Sequence, residues 1–309
     1  MMAALNVPLR VGTRGSDLAL VQTRTVIDLL QTAWPGLRCQ EIVLSTRGDR
    51  YTDRPFAAVG SRGIFAREIE GALLAGRIDL AVHSLKDLES DLPEGLVIGA
   101  LPPRADPRDA LAAAGSFTLA TLPAGARLAT SSIRRTALLR RIRPDCQVEP
   151  IRGNVPTRLR KAAELQLDGV VLACAGLDRL GLASSISERL SPEVVLPEAG
   201  QGAIAVELRG EDAALRELLS AIHDPVTAAC CSAERACVRR LEGSCRTPIA
   251  AYAVWQDTVL WLRALVCSAD GRRQLQAEQR GPSDAPGALG LAVAEVLLQE
   301  GAAELLAPG

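Results

Sequence analysis

The segment VHSLKDL, residues 82–88, ends an apolar run with a lysine and an aspartate. Such a run is typical of a buried strand, so Lys86 and Asp87 are predicted to lie in the turn that follows it. A carboxylate at that point can act as a general base or stabilise a developing positive charge. The alternative is a surface ion pair, which is worth less than about 1 kcal/mol. His83, inside the strand, is expected to be a core residue.

A second candidate for chemistry is Cys245, which lies in the segment LEGSCRTP beside Arg246. A neighbouring cation favours the reactive thiolate form of a cysteine, so a reactive thiol is predicted in this turn. Cys230 and Cys237 fall on the apolar stripe of a predicted helix and are expected to pack in the core. The remaining cysteines are Cys231, whose role the pattern leaves open, and four in or at the ends of strand-like runs: Cys39, Cys146, Cys174 and Cys267.

Several arginines fall at predicted strand-to-helix turns, namely Arg14, Arg47, Arg134, Arg135, Arg152 and, one turn into a helix, Arg158. The same turns carry Gly, Ser and Thr, whose backbone N–H groups suit anions. Ligands of open α/β sheets bind at this edge, so a polyanion site is predicted; solvated surface groups and helix caps are the alternative. No nucleotide-binding glycine motif is present, so a ligand rich in carboxylates fits the arginines better.

Length and composition set the frame for these candidates. A chain of 309 residues is expected to form two or three domains, and its eight cysteines are expected to be reduced thiols. The first residues lack a signal-peptide pattern and no apolar run approaches a membrane span, which predicts a cytoplasmic protein without membrane contact. Two histidines and no C-x-x-C argue against a metal site, and a net charge of −1 argues against nucleic acid as a partner.

Short apolar runs alternate with helical patterns over the first two thirds of the chain, which predicts an α/β fold. Ser16 is the predicted N-cap of the first helix. The segments LPPRADPRDAL and LPEAGQGAIAVELRG are interpreted as crossings between domains. The predicted domains are domain 1, residues 1–102 and 203–220; domain 2, residues 103–202; and domain 3, residues 221–309.

The last third has a different pattern. A helix is predicted over residues 226–242, followed by an antiparallel meander with a turn at Asp270-Gly271. A closing helix is predicted over residues 289–306. The apolar stripe of the first of these helices comprises Val226, Cys230, Ala233, Cys237 and Leu241.

Ten separated stretches together resemble the porphobilinogen deaminases, also called hydroxymethylbilane synthases. They run in family order: VGTRGSDLALVQ, STRGD, GIFAREIE, DLAVHSLKDL, DPRDAL, ATSSIRR, IRGNVPTRL, AGLDRLGL, LPEAGQGAIAVE and ERACVRRLEGSCRTPI. The resemblance implies two α/β domains folded like periplasmic binding proteins and a smaller α+β domain with a three-stranded antiparallel sheet. It also implies a monomer that uses no metal.

The implied activity is that of a transferase in tetrapyrrole (heme) biosynthesis. It deaminates four porphobilinogen molecules, joins them head-to-tail onto a covalent dipyrromethane cofactor, one per chain, and releases hydroxymethylbilane and ammonia. By the resemblance, Asp87 is catalytic and Cys245 attaches the cofactor. The implied cofactor-binding residues are Lys86, Asp87, Thr130, Ser131, Ser132, Arg134, Arg135 and Arg158. The implied substrate-binding residues are Arg14, Ser16, Gln22, Arg62, Phe65, Arg152 and Arg179.

Some positions depart from the family pattern: Ala58, Arg62, Glu89, Pro156 and Ser244. Two other interpretations remain open at this point. One is a non-enzymatic, two-lobed ligand-binding protein. The other is an acyl-transfer enzyme with a cysteine nucleophile, which would need His83 or His223 as its base near Cys245. Release of ammonia from porphobilinogen distinguishes the deaminase from both.

Overall fold

The computed structural model describes residues 7–46, 66–243 and 247–307. The chain forms two compact units: unit 1 comprises Met1–Arg104 and Ala203–Ala228, and unit 2 comprises Ala105–Gly202 and Ala229–Gly309. Most of predicted domains 2 and 3 falls together in unit 2, residues 221–228 of predicted domain 3 fall in unit 1, and the separation of the two domains stays a prediction.

Unit 1 is built around a five-stranded sheet. Its strands are β1 (Leu9–Arg14), β2 (Cys39–Leu44), β3 (Leu80–Ser84), β4 (Leu96–Ala100) and β10 (Ile204–Arg209), in the order β2-β1-β3-β10-β4. Its helices are α1 (Asp17–Ala33), α2 (Arg67–Leu74) and α6 (Ala213–Ser220). β1 runs parallel to β2 and β3, whereas β10 runs antiparallel to both of its neighbours. β1, β3 and β10 are buried along most of their length, whereas the edge strands β2 and β4 consist mostly of half-buried residues.

Unit 2 contains a second five-stranded sheet with the same plan. Its strands are β5 (Asp109–Ala113), β6 (Arg127–Ala129), β7 (Gln147–Glu149), β8 (Gly169–Ala173) and β9 (Glu188–Leu190), in the order β7-β6-β8-β5-β9. Its helices are α3 (Ile133–Ile142), α4 (Val155–Glu164) and α5 (Cys174–Arg179). β6 is parallel to β7 and β8, and β5 is antiparallel to β8 and β9. The strands of the two sheets therefore correspond one to one.

The rest of unit 2 is an antiparallel sheet with its helices. The elements are α7 (Pro225–Arg240, which begins in unit 1), β11 (Ile249–Gln256), β12 (Val259–Cys267), β13 (Gln274–Pro282), α8 (Pro286–Gln299) and α9 (Ala302–Leu306). The strand order is β11-β12-β13, and the turn before β13 contains Gly271 at φ +77°. These sheets confirm the predicted α/β class with a three-stranded antiparallel C-terminal sheet.

Two local predictions were wrong. Val226 is 43% exposed, because it lies in the first turn of α7, before the four stripe positions that are buried. The predicted helix over residues 289–306 is broken at Gly301, whose φ of +96° is left-handed and separates α8 from α9. Among the described residues, no helix is long and apolar enough to cross a membrane.

Candidate functional site

Asp87 lies directly after β3, in one turn of 3₁₀-helix that spans Leu85–Asp87. Leu85 is fully buried, and its N–H donates to the carbonyl of Ala203 at 3.0 Å, which anchors the turn on unit 1. The Asp87 side chain is exposed and Lys86 is half-buried. The predicted position of this pair, in the turn beyond a buried strand, is confirmed.

A pocket in unit 1 contains Asp87 together with three of the predicted substrate-binding residues, Arg14, Ser16 and Gln22. The other residues that line it are Leu18, Ala19, Ala66, Val82, His83 and Ser84. Arg14 ends β1 and Ser84 ends β3, which places the pocket at the carboxyl edge of two parallel strands. The structure thus brings an acidic group and a cation to one small cleft.

The polar groups of this pocket are held in place by α1 and β3. The Ser16 hydroxyl accepts from the N–H of Ala19 at 3.4 Å and caps α1, as predicted. The amide of Gln22 is buried and hydrogen-bonds the Ser84 hydroxyl, with Nε2 to Oγ at 2.9 Å. Both side chains are therefore fixed before any ligand arrives, which reduces the ordering cost of binding.

One of the residues that line the pocket, His83, contacts a buried carboxylate. His83 is 6% exposed, and its Nε2 lies 3.2 Å from Oε2 of Glu207, which is fully buried. Burial first, and the charge of Glu207 second, raise the pKa of Glu70, on α2, to about 7. The expectation that His83 is a core residue is confirmed by its burial, but the sequence did not show that it also lines the pocket.

In unit 2, the turn that joins β6 to α3 contains three predicted cofactor-binding residues. Thr130 is buried, its N–H donates to the carbonyl of Glu149, and its hydroxyl accepts from the N–H of Ser132 at 3.3 Å. The Ser131 hydroxyl donates to the carbonyl of Ile151. Ser132 caps α3, accepting from its third residue at 3.4 Å. The helix N-terminus that results suits an anion.

Arg134 and Arg135 have surroundings that the sequence did not predict. Asp109, at the start of β5, is fully buried and accepts from Arg134 Nη1 at 2.8 Å and from Arg135 Nη2 at 2.7 Å. Gln201 closes the network, since its Nε2 donates to Asp109 at 2.8 Å and its Oε1 accepts from Arg135 at 3.1 Å. Burial alone would raise the pKa of Asp109, but the two guanidinium charges outweigh it and hold that pKa well below its usual range.

Arg134 and Arg135 differ in how many of their N–H groups have an acceptor. Arg135 also donates to the carbonyl of Val171, so Nε, Nη1 and Nη2 of Arg135 all have partners. Arg134 donates through Nη1 to Asp109 and the carbonyl of Leu196, while its buried Nε and Nη2 have no hydrogen-bond partner among the described residues. Direct binding of the cofactor by either side chain stays a prediction; three N–H groups of Arg134 have no acceptor among the described residues, whereas four of the five N–H groups of Arg135 have one.

The remaining predicted arginines of unit 2 lie at the same sheet edge. Burial lowers the pKa of Arg152, after β7, and the pKa of Arg179, at the end of α5. Arg179 donates through Nη2 to the carbonyl of Gly202 at 2.7 Å, and no carboxylate of the described residues lies within ion-pair distance of it. Arg158 donates through Nε to the carbonyl of Gly153 at 2.7 Å.

The unusual Pro156 is explained by its place in α4. The side chain of Asn154 caps this helix, accepting from Thr157 N at 2.9 Å, so Pro156 is its second residue. The first turn of a helix has no internal partner for its N–H groups, so a residue without an N–H is tolerated there. This departure from the family pattern leaves the turn with Arg152 and Arg158 intact.

Cys245 itself lies outside the described residues, as do Arg47, Ala58, Arg62, Phe65 and Ser244. The preceding described residue, Gly243, has no room for a Cβ, which would lie 2.7 Å from Ile249 Cδ1, and its N–H donates to the carbonyl of Val238. The other seven cysteines are described, and all but Cys39 are buried. Burial raises the pKa of the Cys237 thiol to about 12, which disfavours a reactive thiolate there.

The residues of unit 2 fit a group that carries carboxylates. Arg179 is a cation whose pKa is lowered by burial and which has no carboxylate partner among the described residues, and Arg134 has two buried N–H-bearing atoms without acceptors. A carboxylate at each would restore the missing hydrogen bonds and offset the cost of desolvation. Within the described ranges, no cluster of three or more His, Cys, Asp and Glu side chains has the arrangement of a metal site.

Sequence reasoning missed three functional candidates: Asp109, Gln201 and Glu207. Asp109 and Gln201 lie in the DPRDAL and LPEAGQGAIAVE stretches that were taken as domain crossings. A buried charge is rarely tolerated without a partner, so an aspartate at the start of an apolar strand was a usable signal for a paired arginine. Glu207, inside the apolar run of β10, carried the same signal.

Comparison with known proteins identifies the family to which the chain belongs. Residues 9–217 match the family model described as "Porphobilinogen deaminase, dipyromethane cofactor binding domain", and residues 228–299 match "Porphobilinogen deaminase, C-terminal domain". The porphobilinogen deaminase of Moorella thermoacetica is 49% identical over 97% of this chain and 96% of its own length. That of Roseiflexus sp. strain RS-1 is 50% identical over 96% of this chain and 98% of its own length.

Similar solved structures have little sequence identity to the chain. The VFT2 domain of Bordetella pertussis BvgS is 18% identical, with a TM-score of 0.42, and the match covers 69% of this chain and 85% of that domain. The arginine-specific periplasmic binding protein STM4351 of Salmonella typhimurium is 13% identical, with a TM-score of 0.38, over 72% and 93%. The two family models and the near full-length relatives, at about half of all positions identical, show that the chain belongs to the porphobilinogen deaminase family.

Proposed function

We propose that the pocket around Asp87 is where this transferase joins porphobilinogen units. The family membership makes the chain a hydroxymethylbilane synthase, which deaminates and polymerises porphobilinogen on a dipyrromethane cofactor. The observation that supports the location is the shared pocket: an exposed carboxylate, Asp87, lies in one cleft with Arg14, Ser16 and Gln22. Porphobilinogen carries both carboxylates and an ammonium group, so it needs both kinds of partner.

The roles of the four side chains follow from their charges. Arg14 binds a carboxylate of the incoming pyrrole, and the Ser16 and Gln22 side chains, fixed by α1 and Ser84, orient it. Asp87 lies beside the ring as ammonia leaves and stabilises the positive charge that develops there. Its carboxylate is also in reach of protons that the ring releases. Arg62 and Phe65 are proposed to bind substrate as well, on the family pattern alone.

When bound, the dipyrromethane would supply the free pyrrole α-carbon at which the first new bond forms, and each later unit would be joined to the unit added before it. On the family pattern we assign its covalent attachment to Cys245, through a thioether. The proposed non-covalent partners are Lys86, Asp87, Thr130, Ser131, Ser132, Arg134, Arg135 and Arg158. The capped N-terminus of α3 and the unsatisfied donors of Arg134 support this assignment. Arg152 and Arg179, whose pKa values are lowered by burial, are assigned to the carboxylates of the substrate or of the growing chain.

Replacing Asp87 tests the location of the reaction. Asp87→Asn is expected to reduce ammonia and bilane release from porphobilinogen by about 100-fold or more. Because the side chain is exposed, the melting temperature and the mass of the holoprotein should stay those of wild type. Glu94→Gln removes an exposed carboxylate elsewhere in unit 1 and should leave turnover unchanged. A wild-type kcat in Asp87→Asn would contradict the proposed location of the reaction.

The attachment residue is tested by intact mass. The purified protein should exceed its sequence mass by two linked pyrrole units, and Cys245→Ser should not. Cys237→Ser, at a buried position of α7, is the matched control and should keep the additional mass. A Cys245→Ser protein that retains the adduct would contradict the assignment.

We further propose that the protein acts as a cytoplasmic monomer that needs neither metal nor nucleic acid. Support comes from the sequence pattern and the family resemblance. Light scattering coupled to gel filtration should give the mass of a single chain, and chelator treatment should leave turnover unchanged. A dimer mass, or loss of activity with the chelator, would contradict this part of the proposal.

A further inference from the structure

A buried arginine of the C-terminal sheet has no role in the reaction scheme above. Arg263 on β12 is 4% exposed, and its Nε is buried without a hydrogen-bond partner among the described residues. Its Cζ lies 4.4 Å from the ring centre of Trp261 and 5.6 Å from that of Tyr252. Its Nη1 forms an ion pair with Glu193, whose side chain is 69% exposed. A buried guanidinium with an unsatisfied donor costs free energy, so packing alone does not account for an arginine at this position.

The next positions on the same face of β12 are apolar. Side chains alternate between the two faces of a strand, so Arg263, Leu265 and Cys267 share one face. Leu265 and Cys267 are buried in one core cluster with Leu138 of α3 and with Leu196. An apolar residue in place of Arg263 could pack beside them without the cost of burying a charge. What the arginine provides, and an apolar residue would not, is the bond to the carboxylate at its end.

Glu193 begins a segment without helix or strand, residues 193–201, which we call the strap. From position 195 onward the strap is buried or half-buried, whereas most loops lie on the surface. Val195 and Leu196 pack in the core cluster to which β12 contributes. Buried irregular backbone needs partners for its N–H and C=O groups, because no neighbouring strand or helical turn supplies them. The partners of the strap therefore determine where it lies.

The strap contacts both arginines of the turn that joins β6 to α3. The carbonyl of Leu196 accepts from Arg134 Nη1 at 2.7 Å. Gln201 accepts from Arg135 Nη2 at 3.1 Å and donates to Asp109 at 2.8 Å. The position of the Arg134 guanidinium thus depends on the strap as well as on Asp109.

The other end of the strap is also bonded to the C-terminal elements of unit 2. The N–H of Gly200 donates to Oε2 of Glu234, on α7, at 2.7 Å. Oε1 of the same carboxylate accepts from the N–H of Ala253, on β11, at 2.9 Å. In the sequence, α7 precedes Cys245 and β11 follows it. The strap therefore connects the elements on either side of the attachment residue with the arginine turn.

We propose that Arg263, through Glu193, is a positioning residue that sets the strap, and with it Arg134, for binding of the dipyrromethane. The inference rests on the proposed assignment of Arg134 to that cofactor. Nε and Nη2 of Arg134 are buried without a partner among the described residues, and such donors bind well only when the residues behind them fix their position. Because Glu193 is exposed, its ion pair adds little to the free energy of unfolding, so its loss should appear in the placement of the strap.

Uptake of the dipyrromethane by the full chain tests the proposal. Chains produced in cells that make no porphobilinogen begin without the adduct, and intact mass follows its appearance when porphobilinogen is added. Glu193→Ala should slow this appearance by about tenfold or more, because a displacement of about 1 Å can cost about 100-fold in rate. Arg263→Met, which fills a similar space without a charge, should be slowed as well. Wild-type uptake in either variant would overturn the proposal.

The chain offers a matched control in Glu278, on β13. Glu278 lies opposite Arg263 in the sheet register and is exposed like Glu193, but the carboxylate paired with Arg263 is that of Glu193. Glu278→Ala should therefore take up the cofactor at the wild-type rate. Glu193→Gln, which keeps an acceptor oxygen for Arg263, should recover part of the lost rate. Equal slowing in Glu278→Ala and Glu193→Ala would contradict a specific role of the strap.

Hydrogen exchange measured by mass spectrometry gives a readout that does not depend on the cofactor. In Glu193→Ala the amide hydrogens of the strap should exchange faster than in Glu278→Ala, while the melting temperatures of the two variants agree. This measurement decides the proposal if Arg263→Met does not fold. Unchanged exchange of the strap in Glu193→Ala would rule out the positioning role.

Replacing Arg134 separates this proposal from the assignment on which it rests. Arg134→Lys keeps a charge for Asp109 but lacks the Nε and Nη2 donors, so it should lose most cofactor uptake. Wild-type uptake in Arg134→Lys would show that the assignment of Arg134 to the cofactor is wrong. Loss of uptake in Arg134→Lys together with wild-type uptake in Glu193→Ala would leave that assignment in place and overturn only the role of Arg263.

Discussion

The two five-stranded sheets share one strand order but differ in where their acidic residue stands. In unit 1 the segment after β3 presents a carboxylate, Asp87, to a pocket, and an apolar residue, Ile204, begins the antiparallel strand. In unit 2 the antiparallel strand begins with a buried carboxylate, Asp109, which pairs with the buried arginines Arg134 and Arg135. One topology therefore presents an exposed carboxylate in one unit and a buried carboxylate paired with arginines in the other.

The position of the acidic residue decides whether it acts on a ligand or on the protein. Asp87 lies beyond the strand end and stays exposed, so its charge is available to a substrate. Asp109 is inside the sheet, and its charge is used to hold Arg134 and Arg135. A carboxylate within the sheet thus organises arginines, whereas a carboxylate beyond the sheet can take part in the reaction.

The largest effect on stability is expected from breaking the network in unit 2. Asp109→Asn removes the charge that neutralises two buried guanidinium groups, so the free energy of unfolding should fall by about 3–5 kcal/mol. Denaturant unfolding of the holoprotein measures this. Asp106→Asn is the matched control, because Asp106 pairs with Arg108 and Arg189 at a partly exposed site and should cost about 1 kcal/mol or less. Equal losses in the two variants would contradict the account of Asp109.

The comparison also predicts that an arginine without a carboxylate partner contributes more to ligand binding than an arginine that carboxylates neutralise. Arg179→Gln should raise KM for porphobilinogen by about tenfold or more, since a charge-assisted hydrogen bond is worth about 1.5–3 kcal/mol. Arg189→Gln should change KM little, because Arg189 is bonded to Asp178 at 2.6 Å and to Asp106 at 2.9 Å. Steady-state kinetics of the two variants test this. Similar KM values for the two variants would contradict the distinction between arginines with and without a carboxylate partner.

A smaller, pH-dependent effect is expected at Glu70 in unit 1. The folded chain holds the pKa of Glu70 at about 7, and an unfolded glutamate titrates at about 4.3. Between these values the folded state binds a proton that the unfolded state lacks, so the contribution of Glu70 to stability falls as pH rises through this window. The free energy of unfolding of Glu70→Gln, relative to that of wild type, should therefore increase by about 1–3 kcal/mol as the pH rises from about 4.3 to about 7.

Unfolding curves at several pH values check the Glu70 prediction. Glu94→Gln, at an exposed site, should follow the wild-type pH dependence. A constant difference between Glu70→Gln and wild type across the window would show that Glu70 keeps its ordinary titration.

The smallest effect concerns the two serine caps, which occupy equivalent places in the two sheets. Ser16 follows β1 and Ser132 follows β6, and each accepts from the N–H three residues later at 3.4 Å. Ser16→Ala and Ser132→Ala should each lower the free energy of unfolding by about 1 kcal/mol. Paired denaturation curves measure this. A much larger loss in one variant would show that the correspondence of the two sheets does not extend to their helix caps.

Much of the fold and part of the site could be predicted from the sequence. Apolar periodicity located the strands and most helices, because periods of about 2 and 3.6 residues follow from backbone geometry. It placed Ser16 at a helix start and Asp87 beyond a strand. It predicted one continuous last helix, which the structure breaks at Gly301, since helical apolar spacing continues across the break. Periodicity did not indicate that Arg134 pairs with a buried carboxylate whereas Arg179 does not.

The sequence by itself determined the family, the α/β class, the turn position of Asp87 and the unusual setting of Cys245, because these depend on local residue types and spacing. Only the tertiary structure decided which charges are paired. Asp109 meets Arg134 and Arg135 across 25 and 26 positions, and His83 meets Glu207 across 124. The free energy of a buried charge depends on the few atoms around it, and chain separation carries no information about those atoms.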